Sequence, residues 1–212
     1  MIFKDRTDAG KKLAKALESY KGQNVVVYAL PRGGVVLGVE VARTLEAPLD
    51  VIVVRKVGHP RSPEYAIAAV AEDGHMVTNR YEVESVDKQW FDENVEMQRR
   101  EAQRRRALYT HGHPSIPATD KIAILVDDGL ATGLTMFGAV QEVQHAQPRK
   151  IVVAVPVAPP QTVEELKQVA DEVVALYVTD YFGAIGAFYS HFDQVNDEEV
   201  IELMKSVPVS LR

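Results

Sequence analysis

The apolar run Ile122-Ala123-Ile124-Leu125-Val126 stops abruptly at two adjacent acids, Asp127 and Asp128, and a small-residue loop, Gly129-Leu130-Ala131-Thr132-Gly133-Leu134-Thr135, follows. A continuous apolar run with β-branched residues reads as a strand buried on both faces of a parallel sheet. Ligands of such sheets bind where the strands end. Two carboxylates placed there repel each other and lose solvent, a cost a fold tolerates for a task such as gripping hydroxyls or a metal. The small residues after them allow close backbone approach, and a helix starting near Gly133 would present free amides that suit a phosphate. The bland alternative is an ordinary β–loop–α turn with solvated acids. Most such turns carry neither an acidic pair nor two threonines around a glycine.

The same rhythm runs through most of the chain. Asn24–Ala29, Leu49–Val54, Lys150–Val155 and Glu172–Tyr177 are further apolar runs of strand length. Pro156-Val157-Ala158-Pro159-Pro160 is expected to break the third of these. Helical patterns lie between them: Asp5–Tyr20 (capped by Thr7 or Asp8, with a stripe of Ala9, Leu13, Ala16, Leu17 and Tyr20), Val35–Leu45, Gly133–His145, and Thr162–Ala170 with Thr162 and Glu165 as a capping box. Asp197–Met204, capped at Asn196 or Asp197, closes the chain. Alternating β and α segments predict an α/β fold with a doubly wound, mainly parallel central sheet, as a single domain over residues 1–212.

Two segments depart from that rhythm. Val57–Tyr65 carries two prolines and a glycine and reads as a loop, followed by short strands Ala66–Ala71 and His75–Thr78 around Glu72-Asp73-Gly74. Asp87–Tyr109 is a long helix containing Arg99, Arg100, Arg104, Arg105 and Arg106, with Trp90, Phe91, Val95 and Leu108 directed inward. Glu96–Arg100 and Glu101–Arg105 are spaced for pairing along the helix, so a solvated face with internal ion pairs is favoured over an RNA- or acid-binding surface. His111 and His113 have no third ligand nearby in sequence, which argues against a metal site.

Composition narrows the function classes. A net charge of −6 disfavours general nucleic-acid binding, and the absence of cysteine excludes disulfides and thiolate metal sites. The N-terminus MIFKDRTDAGKKL is too polar for a signal peptide, and no apolar run has the length of a membrane span, so a cytoplasmic protein is expected.

A second motif stands at a second strand end. Pro31-Arg32-Gly33-Gly34 follows Asn24–Ala29, where the glycines can turn amides toward an anion and Arg32 adds a charged fork. Arg55-Lys56 follows Leu49–Val54. The strand, acidic pair and A-T-G-x-T loop of residues 122–135 resemble the phosphoribosyl pyrophosphate (PRPP) loop of the type I phosphoribosyltransferases. The whole pattern, from P-R-G-G through R-K-x-G-x-P to an aromatic tail, is similar to uncharacterised bacterial phosphoribosyltransferase-like proteins.

The resemblance implies transfer of ribose 5-phosphate from PRPP to a nitrogenous base, with pyrophosphate released; the sequence assigns no acceptor. The alternative is a non-catalytic PRPP- or nucleotide-binding regulator. Gly129, Ala131, Thr132, Gly133, Leu134 and Thr135 would hold the 5-phosphate, and Asp127 and Asp128 the ribose hydroxyls. Arg32, Gly33, Gly34 and Arg55 would face the pyrophosphate, with Lys56 joining the acids as a catalytic group. Mg²⁺ would be held mainly through PRPP and water, without a direct protein ligand. A flexible loop or hairpin after Lys56 would cover the reaction centre, with His59 and Arg61 as candidate contacts. Tyr181, Phe182 and Phe188 form an aromatic hood that would either stack on the acceptor or make a lid or dimer contact. The family habit is a homodimer; neither nucleic acid nor membrane is expected as a partner.

Overall fold

The computed structural model describes residues 2–207, so the extreme ends of the expected 1–212 domain lie outside the described residues. In chain order the elements are α1 (Arg6–Ala16), β1 (Val25–Ala29), α2 (Gly33–Leu45), β2 (Leu49–Val51), β3 (Val54–His59), β4 (Ser62–Ala71), β5 (Met76–Thr78), α3 (Arg80–Glu84), α4 (Lys88–Thr110), β6 (Ile122–Val126), α5 (Leu134–His145), β7 (Lys150–Ala158), α6 (Pro160–Leu166), β8 (Glu172–Val178) and α7 (Asp197–Lys205). Five parallel strands form the central sheet in the order β2-β1-β6-β7-β8, and β3-β4-β5 form a separate antiparallel sheet.

The buried strands have two apolar faces, and each face is covered. Val25, Val27 and Ala29 of β1 join Ile122, Ile124 and Val126 of β6 in a core with Leu13, Leu37 and Val200 from α1, α2 and α7. The alternate residues Val26, Tyr28, Ala123 and Leu125 pack on the other side with Met136, Val140 and Leu166 from α5 and α6. This is the doubly wound arrangement that the continuous apolar runs imply. From β1 the chain winds outward to β2, whereas from β6 it winds through β7 to β8. The order therefore reverses between β1 and β6, and a crevice opens beyond their carboxyl ends.

Several boundaries differ from the sequence expectation. Asp5, rather than Thr7 or Asp8, caps α1, its carboxylate accepting from the Asp8 amide at 2.8 Å. The α-helix ends at Ala16, and Ala14 is buried where Ala16 is exposed. α2 begins at Gly33 rather than Val35. β2 stops at Val51, the partner of Ala29 at the end of β1, and Val54 already belongs to β3. Residues 57–65, expected as a loop, are the tip of a hairpin: Pro60 and Arg61 make its turn, and the register shifts beside Gly58, whose Cα lies so close to the Pro63 carbonyl that a Cβ would be 2.0 Å from it. The prolines and glycine mark a turn and a bulge within paired strands.

β7 runs through Pro156 to Ala158 because its flanks, Val155 and Val157, keep pairing with Ala175 and Tyr177 of β8. Pro159-Pro160 ends the strand and starts α6 without a side-chain cap, so Thr162 is not the cap. Asn196 caps α7 through a capping box with Glu199.

The arginine-rich helix is not solvated throughout. Glu96–Arg100 and Glu101–Arg105 pair on its surface at 2.8 and 2.7 Å. Arg106, by contrast, is 8% exposed and sits in an acidic cluster. Its guanidinium meets Asp50 of β2 at 3.0 Å and Glu72, beyond β4, at 2.9 Å. Glu142 of α5 completes the cluster, and the Oε2 atoms of Glu72 and Glu142 are buried without a hydrogen bond. Burial is the first cause pushing Glu72 up to about 7 and Glu142 up to about 8 from an ordinary 4.5; neighbouring acids add to the rise and Arg106 opposes it.

A raised folded-state value means that the native protein holds these protons more tightly than the unfolded chain. The stabilisation is complete below pH 4.5 and is lost as pH rises through 7 to 8. Glu142→Gln is expected to stabilise the protein by roughly 2 kcal/mol at pH 8.5 and by almost nothing at pH 5. Urea denaturation at the two pH values checks this, and an equal effect at both would contradict it.

Candidate active site

β1 and β6 are neighbours in register, with Ala29 opposite Val126, so the segments that leave them must meet. The turn after β1 and the acidic pair after β6 are in van der Waals contact. A Cβ on Gly33 would lie 1.9 Å from Asp128 Oδ2, and one on Gly34 would lie 2.7 Å from the Val126 carbonyl and 3.0 Å from Asp127 Cα. Both glycines are therefore required by close approach. The Pro31–Arg32 peptide bond is cis. The Gly34 amide donates to the Leu30 carbonyl at 3.1 Å, so the expectation that both glycine amides face an anion is corrected: α2 has already claimed one of them.

Asp128 is 9% exposed. Its Oδ2 accepts from Arg6 Nε at 2.7 Å, and its carbonyl accepts from the Tyr189 hydroxyl at 2.6 Å. Asp127 Oδ1 accepts from the Asp128 amide at 2.8 Å. Burial pushes both carboxyls above the ordinary aspartate range. For Asp127 the Asp128 charge adds to this while Lys56 and Arg6 counter it; for Asp128, Arg6 is the main counterweight.

The loop after the acids turns through Gly129 (φ 156°) and Gly133 (φ 71°), both in the region that favours glycine. Gly133 precedes α5, whose first turn has no side-chain cap, so the amides that open the helix have no side-chain acceptor. Ala131 and Thr132 are exposed, and Thr135 is half-buried. The loop is held from α6: the Thr162 hydroxyl donates to the Ala131 carbonyl at 2.8 Å, and its methyl fills the space beside Gly133. Ile185, in the tail after β8, packs against Gly129.

The other candidates diverge. Arg55 and Lys56 are adjacent on β3 and point to opposite faces. Lys56 is exposed and acts on Asp127 electrostatically, whereas Arg55 donates to Gln98 of α4 at 3.0 Å. Arg32 leans toward Asp197, at 3.6 Å. Tyr181 is 94% exposed and Phe182 half-buried. Phe188 is a core ring, packed against Tyr177 and Phe182 with centroids 5.9 and 5.3 Å away, so it has no free face for a base.

Arg6, Tyr189 and Thr162 are the site-forming residues that sequence reasoning did not single out. Arg6 left one faint signal. It is a cation at the first position of a helix, where the macrodipole disfavours positive charge.

Residues 4–190 match the family model of the phosphoribosyl transferase domain. A Mycobacterium tuberculosis protein whose name places it among the phosphoribosyl transferases is 43% identical over 205 residues, covering 96% of this chain and 46% of that protein. The chain thus spans about half the length of the curated relatives it matches. The crystal structure of TT1426 from Thermus thermophilus superposes with a TM-score of 0.81 at 44% identity, covering 96% of this chain and 98% of that one. AQ2163 from Aquifex aeolicus shares the fold at 13% identity, with a TM-score of 0.53 over 96% of this chain and 86% of its own.

Proposed function

Because the chain belongs to the phosphoribosyl transferase family, we propose that it transfers ribose 5-phosphate from PRPP to a nitrogenous base and releases pyrophosphate. The observation that carries this reading is the contact of two strand-end motifs, Gly33-Gly34 against Asp127-Asp128, beside the uncapped start of α5.

The amides opening α5, with the Thr132 and Thr135 hydroxyls, receive the 5-phosphate. The ribose hydroxyls donate to Asp127 and Asp128. Lys56, Arg32 and the Gly33 amide favour the charge that builds on the departing pyrophosphate. As the C1–O bond to pyrophosphate breaks, positive charge grows on the ribose, and the acids favour it electrostatically. The acceptor nitrogen then bonds to C1 and gives up its proton to solvent water. Positioning supplies most of the acceleration.

Oxygen atoms of both acids are already engaged, Asp127 Oδ1 by an amide and Asp128 Oδ2 by Arg6. That donor set suits a hard cation that brings its own ligands, as Mg²⁺ does when carried on phosphate oxygens and water. When bound, Mg²⁺ supplies charge neutralisation on the pyrophosphate.

Incubation with PRPP, Mg²⁺ and a panel of purine and pyrimidine bases should release pyrophosphate with at least one base. Asp127→Asn should slow that release about 100-fold. Silence across the panel, with PRPP still bound, would replace transfer by binding alone. Wild-type protein that ignores millimolar PRPP would remove the site assignment.

A further inference from the structure

Arg6 is the one cation in direct contact with the acidic pair among the described residues. It comes from the N-terminal part of the chain, 122 positions away, and everything around it restricts it. Nε is on Asp128 Oδ2 at 2.7 Å, Nη1 donates to the Asp193 carbonyl at 2.6 Å, and the guanidinium lies 3.8 Å from the centre of the Phe192 ring. Its side chain is 12% exposed. Tyr189, which holds the Asp128 carbonyl, lies tilted against Phe192 with centroids 4.8 Å apart. The tail from Tyr189 to Asp193 and the start of α1 therefore meet at one carboxylate. Main-chain bonds support the junction: Phe3 donates to Phe188, and Ser190 donates back to Phe3.

We propose that Arg6 is a positioning residue of the donor site, holding the Asp128 carboxylate in the rotamer that meets the ribose hydroxyls. This rests on the reading of the acidic pair as the diol site. The physical reason is that Arg6 is the one oppositely charged anchor of this carboxylate among the described residues. Gly33 offers Asp128 no side chain to lean on, and the main-chain bond from Tyr189 fixes the backbone of Asp128 but not its χ angles. Of the remaining groups that face the pair, Asp127 hydrogen-bonds the Asp128 side chain but is itself an acid, Lys56 acts on Asp127 from β3, and α2 contributes glycines. A buried carboxylate without Arg6 would turn or take up a proton, and either change removes an acceptor from the diol.

A double-mutant cycle on PRPP affinity tests this, with Mg²⁺-PRPP as the calorimetric probe and Arg6→Gln, Asp128→Asn and the double variant compared. Arg6→Gln is expected to weaken binding about 10- to 100-fold. In the Asp128→Asn background the same change should alter affinity less than about threefold, because a residue acting only through its partner has nothing left to act on. Arg6→Lys should recover part of the loss, since it keeps the charge but not the fork.

Equal losses in both backgrounds would overturn the proposal, and so would tighter binding by Arg6→Gln, which would make the ion pair a competitor of ribose. Should Arg6→Gln fail to fold, Phe192→Leu removes the ring beneath the guanidinium; unchanged affinity there would overturn the proposal as well. Wild-type protein that does not bind PRPP fails the diol reading itself, whereas wild-type binding with an additive cycle fails Arg6 alone.

Discussion

Replacing Arg106 with methionine is expected to lower the stability of the protein by roughly 3–5 kcal/mol at pH 8, the usual cost of removing one partner from a buried ion pair. Arg106 is the shared counter-charge of Asp50 and Glu72, both of which are buried or nearly so. Asp50 keeps two main-chain donors, the Val51 and Ile116 amides at 2.8 Å, but loses its only ionic partner among the described residues. Glu72 would have neither oxygen satisfied, since its Oε2 already lacks a hydrogen bond. These acids tie β2 and the β4–β5 turn to α4, so the antiparallel sheet should loosen first. Hydrogen exchange over residues 54–78 with chemical denaturation reads both effects. The loss should shrink toward pH 5, where folded Glu72 is protonated with or without Arg106. A variant as stable as the wild type at pH 8 would show that Arg106 merely fills space.

On the proposed reading, Gly33→Ala is expected to weaken PRPP binding strongly while leaving the sheet intact. The new methyl would sit 1.9 Å from Asp128 Oδ2 and 2.9 Å from Arg6 Nε. A flexible carboxylate could move aside cheaply, but this one is held by an ion pair, so relief means breaking that pair or displacing the turn. A loss of PRPP affinity of about 100-fold or more follows, because the turn and the acidic pair can no longer occupy their places together. Gly183→Ala is the matching control: a Cβ there meets nothing within 4 Å, and binding should be unchanged. Calorimetry with Mg²⁺-PRPP distinguishes the two variants, and an alanine at 33 that binds as wild type would sink the packing argument.

The legible parts of this chain were those with local signals. Continuous apolar runs announced β1, β6 and β7 because strands covered on both faces have no polar side to display, and the half-buried edge strand β8 carries a similar run. The acidic pair and the Gly33-Gly34 turn stood out because their residue types are costly or permissive at strand ends, whatever surrounds them. Boundaries failed where the same residue type serves two purposes. Proline and glycine in residues 57–65 suggested an open loop, yet they mark the turn and bulge of β3–β4. Pro156 suggested a break, yet flanking pairs carry β7 past it. Thr162 suggested a cap, yet its hydroxyl holds the loop carbonyl of Ala131.

By itself the sequence determined the alternation of elements, the doubly wound sheet and the two strand-end motifs, since each is written in neighbouring residues. It did not determine which distant side chains complete them. Arg6 lies 122 positions from Asp128, and Arg106 lies 56 from Asp50. On their own helices both are ordinary surface arginines. Only the reversal of strand order between β1 and β6, with the return of the tail across α1, brings Arg6 to the acidic pair, and only the packing of α4 against β2 buries Arg106. A local pattern fixes the period of a segment; the partner of a charge is fixed by topology, and topology is settled only when the whole core packs.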